Sequence, residues 1–194
     1  MAHVIQLSLN QLLGQIKGNP LNNTVDIVWT EERNKAAKQR SKKRDIANTL
    51  NKARDLAIFI NASPQRKEKF KDLQKTTRNP QLVLIQDVRT RWNSTYLMLE
   101  RARRLQSELD KYCRLYKIDH IMLNSDEWRQ INYLLYLIKP FYIYTTALSK
   151  TKDMTIHNIF SLYNELFKHL KVSKRQLQRK RVYLTFILLL SYLY

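Results

Sequence analysis

Glycine is almost absent from this chain, and its absence restricts the folds that the chain can adopt. Only Gly14 and Gly18 occur among 194 residues, together with 4 prolines. A Gly-rich phosphate-binding loop needs glycines at fixed spacings that these two cannot supply. Because glycine and proline mark most tight turns, their scarcity favours long helices joined by few turns.

Apolar residues recur every three or four positions over most of the chain, which is the period of an amphipathic helix. A helix from Asn93 or Ser94 to about Tyr116 is expected to begin with one of these two residues as its cap. Ser125 and Thr155 are predicted caps of two later helices. The predicted helices lie near residues 4–16, 45–61, 64–73, 93–116, 125–142 and 155–170.

One short segment has a different character. Leu82 to Ile85 is apolar and partly β-branched, and it follows a break at Asn79-Pro80. It predicts an extended segment that can pair as a strand. Pro140 predicts a kink within the helix that begins near 125. The fold class is therefore mainly α, a helical bundle with at most one or two short strands.

Positive charge dominates the composition. The chain has 35 Lys and Arg against 16 Asp and Glu, which gives a formal net charge of +19. Such a surplus favours polyanionic partners, namely DNA, RNA or an anionic membrane surface, and charge alone does not choose among them. The segments 35–44 and 171–181 each hold six cations and no acid. The first is either a solvated helix face or flexible basic arm, or a phosphate contact made by Lys42, Lys43 and Arg44.

The residues that bind metals or form disulfides are few and scattered. A single cysteine, Cys113, excludes an intramolecular disulfide and suits a reducing compartment, and its apolar neighbours predict a buried thiol. His3, His120, His157 and His169 lie far apart in the sequence, so no metal site is predicted.

The C-terminal segment 182–194 is apolar, but its 13 residues fall short of the ~20 that a membrane-spanning helix needs. We expect a buried or partner-seeking helix or an unrelated tail there rather than a membrane anchor.

The segment from Asp87 to Leu99 carries the strongest functional signal. Arg91 and Trp92 lie where the extended segment becomes a helix. A guanidinium can bind a phosphate through two hydrogen bonds, and an indole can stack on a base for roughly 1–3 kcal/mol. A structural role is the alternative, with Trp92 in the core and Arg91 paired with Asp87.

The same segment resembles a motif of the hAT transposases, in which an aspartate, Thr-Arg-Trp, Asn-Ser-Thr-Tyr and Met-Leu recur in this order. Ala2-His3 and the following apolar helix resemble the end of the family's Cys-x-x-His segment. Glu127 to Ser149 and Thr155 to Leu170 resemble the family's next two helical blocks. The resemblance extends over residues 2–175, and its most specific part is the Thr-Arg-Trp-Asn-Ser-Thr string.

The resemblance implies a domain organisation. In these transposases a ribonuclease-H-like core is interrupted by a large helical insertion. Residues 1–17 then correspond to a helix at the edge of that core, and 18–45 to a basic loop or arm. Residues 46–172 correspond to the insertion-like domain, and 173–194 to a basic and then apolar tail.

The resemblance also implies roles for single residues. The family's Arg-Trp pair lies near the cleaved DNA end, where the tryptophan stabilises a flipped base, and these roles fall on Arg91 and Trp92. Thr90 and Asn93 flank the pair. His3 matches the motif histidine near the active site. Asp87 belongs to a different position from the catalytic aspartates and is not predicted to bind metal.

Catalysis by the chain alone is not expected. The family's two catalytic aspartates would precede residue 1 and its glutamate would follow residue 194, so the full-length enzyme's divalent metal, such as Mg²⁺, has no site here. We predict a cofactor-free, DNA-binding nuclear fragment without a small-molecule substrate, which can form a homo-oligomer through helical or apolar C-terminal surfaces. Three alternatives are an enzyme, either a working transposase or a nuclease, an inert transposon remnant, and a domesticated nucleic-acid-binding or protein-interaction module.

Overall fold

The computed structural model describes residues 11, 13–15, 22, 24–40, 45–75, 81–88, 92–150 and 156–180, with the backbone alone at 92, 149–150, 156–159 and 177–180. Helices account for most of these residues, and the predicted mainly α fold class is confirmed. The helices are α1 (Glu31–Arg40), α2 (Ile46–Asn61), α3 (Pro64–Lys75), α4 (Trp92–Arg104), α5 (Gln106–Leu115), α6 (Ser125–Lys150) and α7 (Ile156–Lys180). Residues 11 and 13–15 are also helical.

Two compact units share the chain. One comprises residues 20–133, and the other comprises residues 1–19 together with 134–194. The predicted basic loop or arm at 18–45 is wrong for residues 31–40, because they form α1. The remaining domain limits stay predictions.

Helix α2 is central to the unit formed by residues 20–133, where it packs against α1, α3 and α4. Its N-cap is Asp45, whose carboxylate accepts a 2.7 Å hydrogen bond from the backbone N–H of Asn48. Leu50, Leu56 and Ile60 are buried in the core, which confirms the predicted helix at 45–61. Since neighbouring helices surround α2, even its charged residues Lys52, Arg54 and Asp55 are buried.

The single helix predicted for 93–116 is wrong in two respects. The chain forms two helices, α4 and α5, which are separated at Leu105. The buried Leu105 side chain lies at this break, and its N–H bonds to the carbonyl oxygens of Arg101 and Ala102. The predicted cap at Asn93 or Ser94 is also wrong, because α4 already includes Trp92 and the Ser94 hydroxyl bonds to Val88.

The segment 81–88 is extended, but no strand occurs within the described ranges, where Val88 forms only an isolated bridge. Side-chain amides replace a neighbouring strand. Gln74 donates to the carbonyl oxygen of Leu82 at 3.0 Å and accepts from its N–H at 2.6 Å. Asn61 donates to the carbonyl oxygen of Leu84 at 2.9 Å. These bonds satisfy backbone groups that a sheet would otherwise pair.

The cap of α6 is Asn124, one residue before the predicted Ser125. Its side chain accepts a 2.9 Å bond from the N–H of Glu127, and the Glu127 carboxylate accepts a 2.8 Å bond from the N–H of Asn124. This reciprocal pair is a capping box. The helix continues through Pro140 to Lys150. No described helix has both the length and the apolar character needed to cross a membrane.

Candidate nucleic-acid interface

A buried ion pair anchors the start of the Asp87–Leu99 segment. The Arg54 guanidinium of α2 donates to the Asp87 carboxylate from Nε, at 2.9 and 3.0 Å from the two oxygens, and from Nη2 at 2.8 Å. The buried Thr95 hydroxyl of α4 donates to the same carboxylate at 2.9 Å. Asp87 therefore joins α2 to α4 and sets where the segment between them begins.

Sequence reasoning missed Arg54 as the partner of Asp87 and considered Arg91 instead. Arg54 lies 33 residues before Asp87. One signal was available, since Arg54 lies among apolar residues of a helix whose period predicts burial. A buried guanidinium needs an acidic partner. The carboxylate of Asp87, fully engaged by Arg54 and Thr95, acts as a structural anchor.

Within the motif, the Ser94 hydroxyl of α4 bonds back to the backbone of Val88. It accepts a 2.9 Å bond from the N–H of Val88 and donates to the Val88 carbonyl oxygen at 3.2 Å. Trp92 is the first residue of α4. The Oδ1 atom of Asn93 is buried and accepts no hydrogen bond within the described part of the chain. The Ser94 hydroxyl therefore ties the extended segment to the first turn of α4.

A second buried ion pair holds the start of α6 against α2. Lys52 Nζ lies 2.7 Å from Glu127 Oε1 and 3.3 Å from the carbonyl oxygen of Met122. The Thr49 hydroxyl donates to Gln130 Oε1 at 2.6 Å. Glu127 also takes part in the N-terminal cap of α6. The same carboxylate therefore caps the start of one helix and neutralises a buried lysine of another.

A third cluster holds the basic helix α1. The buried carboxylate of Asp55 lies 2.7 Å from Arg40 Nη2 and 3.4 Å from Arg33 Nη1. Burial raises the pKa of Asp55 above its usual value, while the charges of Arg40 and Arg33 act in the opposite direction. Lys35 and Lys38, on the same helix, are exposed. The basic run is therefore helical over residues 35–40, and a phosphate contact by this run stays a prediction.

The predicted site residues fall into two groups. Trp92 and Asn93 begin α4, as described above. The other six lie outside the described residues: His3, Lys42, Lys43, Arg44, Thr90 and Arg91. Their proposed roles stay predictions.

No three His, Cys, Asp or Glu side chains within the described ranges are arranged to hold a metal ion. The ring of His120 contacts Asn34 Oδ1 at 2.9 Å, and burial lowers the pKa of this histidine. Cys113 is buried as predicted, and burial raises the pKa of its thiol to about 12.

Comparison with known proteins agrees with this architecture. Residues 39–137, about half of the chain, match the family described as the ZBED1 RNase-like helical domain. The chain belongs to this family. The matched range includes α2 to α5 and every residue of the Arg54–Asp87–Thr95 and Lys52–Glu127 contacts.

Several curated relatives match this ZBED1-type chain. A protein of Talaromyces stipitatus, provisionally named transcriptional regulator tpeD, is 55% identical over 177 residues, which are 91% of this chain and 20% of that protein. The human zinc finger BED domain-containing protein 4 is 32% identical over 50% of this chain and 8% of its own length. The provisionally named AC transposase of Zea mays is 30% identical over 62% of the chain and 15% of its own length.

These relatives and the family match confirm the resemblance to hAT transposases, so the chain is an hAT-family transposase-like protein. It spans a fifth or less of the length of the three relatives named above. No solved structure matches it.

Proposed function

We propose that this chain is the DNA-binding helical module of an hAT-type transposase-like protein and contacts a DNA strand end through Arg91 and Trp92. The observation that carries this proposal is the buried Arg54–Asp87–Thr95 cluster. It holds Asp87, the first residue of the motif, to both α2 and α4. A rigid anchor of this kind lowers the cost of holding a nucleotide in one geometry.

The residues of the motif suit a strand end. The guanidinium of Arg91 can bind a phosphate through paired hydrogen bonds. The indole of Trp92 can stack on an unpaired base, and base flipping requires such a surface for the base that leaves the duplex. The net charge of +19 favours this partner over neutral ligands.

The buried acids near the motif favour binding over cutting. Two-metal cleavage of DNA requires carboxylates that converge on the metal ions. Asp87, Glu127 and Asp55 are instead each neutralised by a basic side chain. We therefore propose that a longer protein supplies the catalytic carboxylates and the divalent metal. Because genomic DNA is the proposed partner, we expect the protein to act in the nucleus.

A second candidate function is transcriptional regulation through the same DNA contacts. The name of the relative from Talaromyces stipitatus, which is 55% identical over most of this chain, favours it. Both functions require DNA binding, and they differ in whether a strand end is needed. Regulation requires binding to intact duplex DNA, whereas strand-end recognition requires an unpaired base.

Fluorescence anisotropy tests the strand-end contact. The whole chain is titrated with a labelled flapped or hairpin DNA and with a blunt duplex of the same length. Trp92→Ala is expected to weaken binding to the flapped DNA by roughly 5- to 150-fold, from the 1–3 kcal/mol of a stacked base. The blunt duplex is expected to bind both forms of the protein almost equally.

Phe160→Ala is a matched control, because Phe160 is an aromatic residue of α7 that is 67% exposed. This variant is expected to bind both DNAs like the wild type. An unchanged affinity of Trp92→Ala for flapped DNA, with the helical content intact by circular dichroism, would exclude the proposed stacking contact.

A further inference from the structure

A second basic surface lies where α3 packs against α5. The rings of Phe70 and Tyr112 meet edge to face, with centroids 5.6 Å apart. Lys69 Nζ of α3 lies 5.1 Å from the ring centroid of Tyr116, at the end of α5. Lys117 follows Tyr116 directly. The packing of α3 on α5 therefore brings a cation of α3 to the tyrosine that follows α5 and precedes Lys117.

Among the described residues, no acidic side chain pairs with the lysines near Tyr116. Lys69, Lys111 and Lys117 are exposed, and none of them forms an ion pair with a carboxylate in the described part of the chain. Two other lysines of α3 differ, since Lys75 Nζ lies 2.7 Å from Asp72 and Lys71 Nζ lies 3.8 Å from Glu68. Within the described residues, Lys69 and Lys117 thus bring uncompensated charge to Tyr116 and its neighbour in the chain. We call Lys69, Tyr116 and Lys117 the Tyr116 surface.

Lys117 has an unusual backbone. Its φ is 53°, the only positive φ of a non-glycine residue within the described ranges. The N–H of Ile118 donates to the Cys113 carbonyl oxygen at 3.0 Å. The N–H of Lys117 donates to the Arg114 carbonyl oxygen at 3.4 Å. This is a Schellman helix end, in which glycine is the residue that suits the left-handed position. Folding alone favours glycine here, so a lysine at this position indicates a use for its charge.

We propose that the Tyr116 surface is a second DNA-contacting site, which binds the phosphate backbone of duplex DNA. This inference rests on the proposed function, because it assigns a further contact with the same partner. Lysine ammonium groups bind phosphates as point charges. The Tyr116 ring contacts Lys69 and Tyr112, the latter at 4.5 Å between centroids, so the lysines rather than the ring supply the proposed phosphate contacts. Contacts of this kind position a protein on DNA without reading its sequence.

Two sites of different chemistry predict two separable effects. The Trp92 site would hold an unpaired base, and the Tyr116 surface would hold the duplex beside it. The test uses the whole chain, a labelled blunt duplex and the flapped DNA, with affinities measured over a series of salt concentrations. For each phosphate contact that is lost, the slope of log K against log salt is expected to fall by about 1.

The Lys69→Gln/Lys117→Gln variant is expected to bind the duplex more weakly, with a salt slope lower by about 2. Lys75→Gln on α3 is the matched control, because it removes the same charge from a lysine that is already paired with Asp72. Its slope is expected to stay close to that of the wild type. If Lys75→Gln lowers the salt slope by as much per lysine as the double variant does, the proposal is overturned. The change in net charge would then explain both results.

Lys117→Gly separates a binding role from a structural one. Glycine relieves the left-handed backbone, so the melting temperature is expected to rise by roughly 2–4 °C. The same variant is expected to bind the duplex more weakly, with a salt slope lower by about 1. A raised melting temperature with unchanged duplex affinity would mean that Lys117 has no contact with DNA.

The two proposals can fail independently. If Trp92→Ala impairs binding to flapped DNA while the lysine variants bind the duplex like the wild type, only the Tyr116 surface is disproved. If the unmodified chain shows no salt-dependent binding to either DNA, the proposed function fails as well. Loss of binding to phosphatidylserine vesicles, with duplex affinity unchanged, would assign the lysines to a membrane surface and overturn the inference.

Discussion

The Arg54 guanidinium binds the Asp87 carboxylate through Nε and Nη2 at 2.8–3.0 Å, and both side chains are buried. This contact links the middle of α2 to the first residue of the motif that resembles hAT transposases. A buried ion pair contributes little net stability relative to apolar residues, but loss of one partner leaves an uncompensated charge. The arrangement therefore makes the position of the motif dependent on a single arginine.

Arg54→Met is expected to lower the free energy of unfolding by about 3–5 kcal/mol, because Asp87 then stays buried without its counter-charge. Urea denaturation followed by circular dichroism measures this loss. The Arg54→Met/Asp87→Leu variant is expected to be more stable than Arg54→Met, since it removes both charges.

Arg103→Ala is the control for this prediction, because Arg103 is an exposed cation of α4. Its effect is expected to stay within about 0.5 kcal/mol. A loss below about 1 kcal/mol in Arg54→Met would show that water reaches the Asp87 carboxylate in the folded protein.

Gln74→Ala is expected to remove the hydrogen bonds that hold the backbone of segment 81–88 against α3. The Gln74 amide is buried and forms both hydrogen bonds to the backbone of Leu82. Its loss leaves these groups without partners at a cost of about 1–3 kcal/mol. Hydrogen exchange measures the effect directly, and the Leu82 amide should exchange faster than in the wild type.

Gln65→Ala serves as the control for Gln74→Ala, because Gln65 is exposed at the start of α3. It should leave the exchange of Leu82 unchanged. Equal protection of the Leu82 amide in Gln74→Ala and wild type would argue against side-chain support of this segment.

Cys113 is expected to be unreactive in the folded protein at pH 8. Burial raises the pKa of its thiol to about 12, so almost no thiolate forms at that pH. A disulfide reagent such as dithionitrobenzoate should label Cys113 only after unfolding in guanidinium. Rapid labelling of the native chain would contradict burial of the thiol.

The same pKa shift predicts loss of stability at alkaline pH. The unfolded thiol loses its proton near the ordinary value of 9.0, whereas the folded thiol keeps it up to about 12. The free energy of unfolding is therefore unaffected by this group below pH 9. It falls as pH rises towards 12, by up to about 1.4 kcal/mol per pH unit. Cys113→Ala should have a smaller decline in this window, and identical pH profiles would refute the assignment.

A cooperative thermal transition is expected for the unit formed by residues 20–133, because three buried ion-pair clusters and the apolar core connect α2 to α1, α4 and the start of α6. Circular dichroism and tryptophan fluorescence should report the same midpoint. A broad transition with different midpoints for the two probes would instead favour an inert transposon remnant.

Local sequence patterns predicted those parts of the fold that depend on neighbouring residues. The helix at 45–61 agrees with α2 to within one residue at its start, because apolar spacing and the Asp45 cap are both local signals. The break at Leu105 was missed, since Gln106 to Leu115 continues the same helical period and only packing separates α4 from α5. The extended segment predicted at 82–85 is present, but it bonds to side chains of α2 and α3 instead of pairing as a strand.

The sequence by itself determined that this chain is mainly helical, strongly basic and similar to hAT transposases around Trp92. Helical period, charge and motif are properties of the order of residues. Only the tertiary structure decided which charges face inward. Arg54, Lys52 and Asp55 interrupt the apolar pattern of α2, and their burial is possible because Asp87, Glu127 and Arg40 reach them from elsewhere in the chain. Tertiary packing likewise left Lys69 and Lys117 without an acidic partner in the described part of the chain, since charge pairing depends on distance in space and not on spacing in sequence.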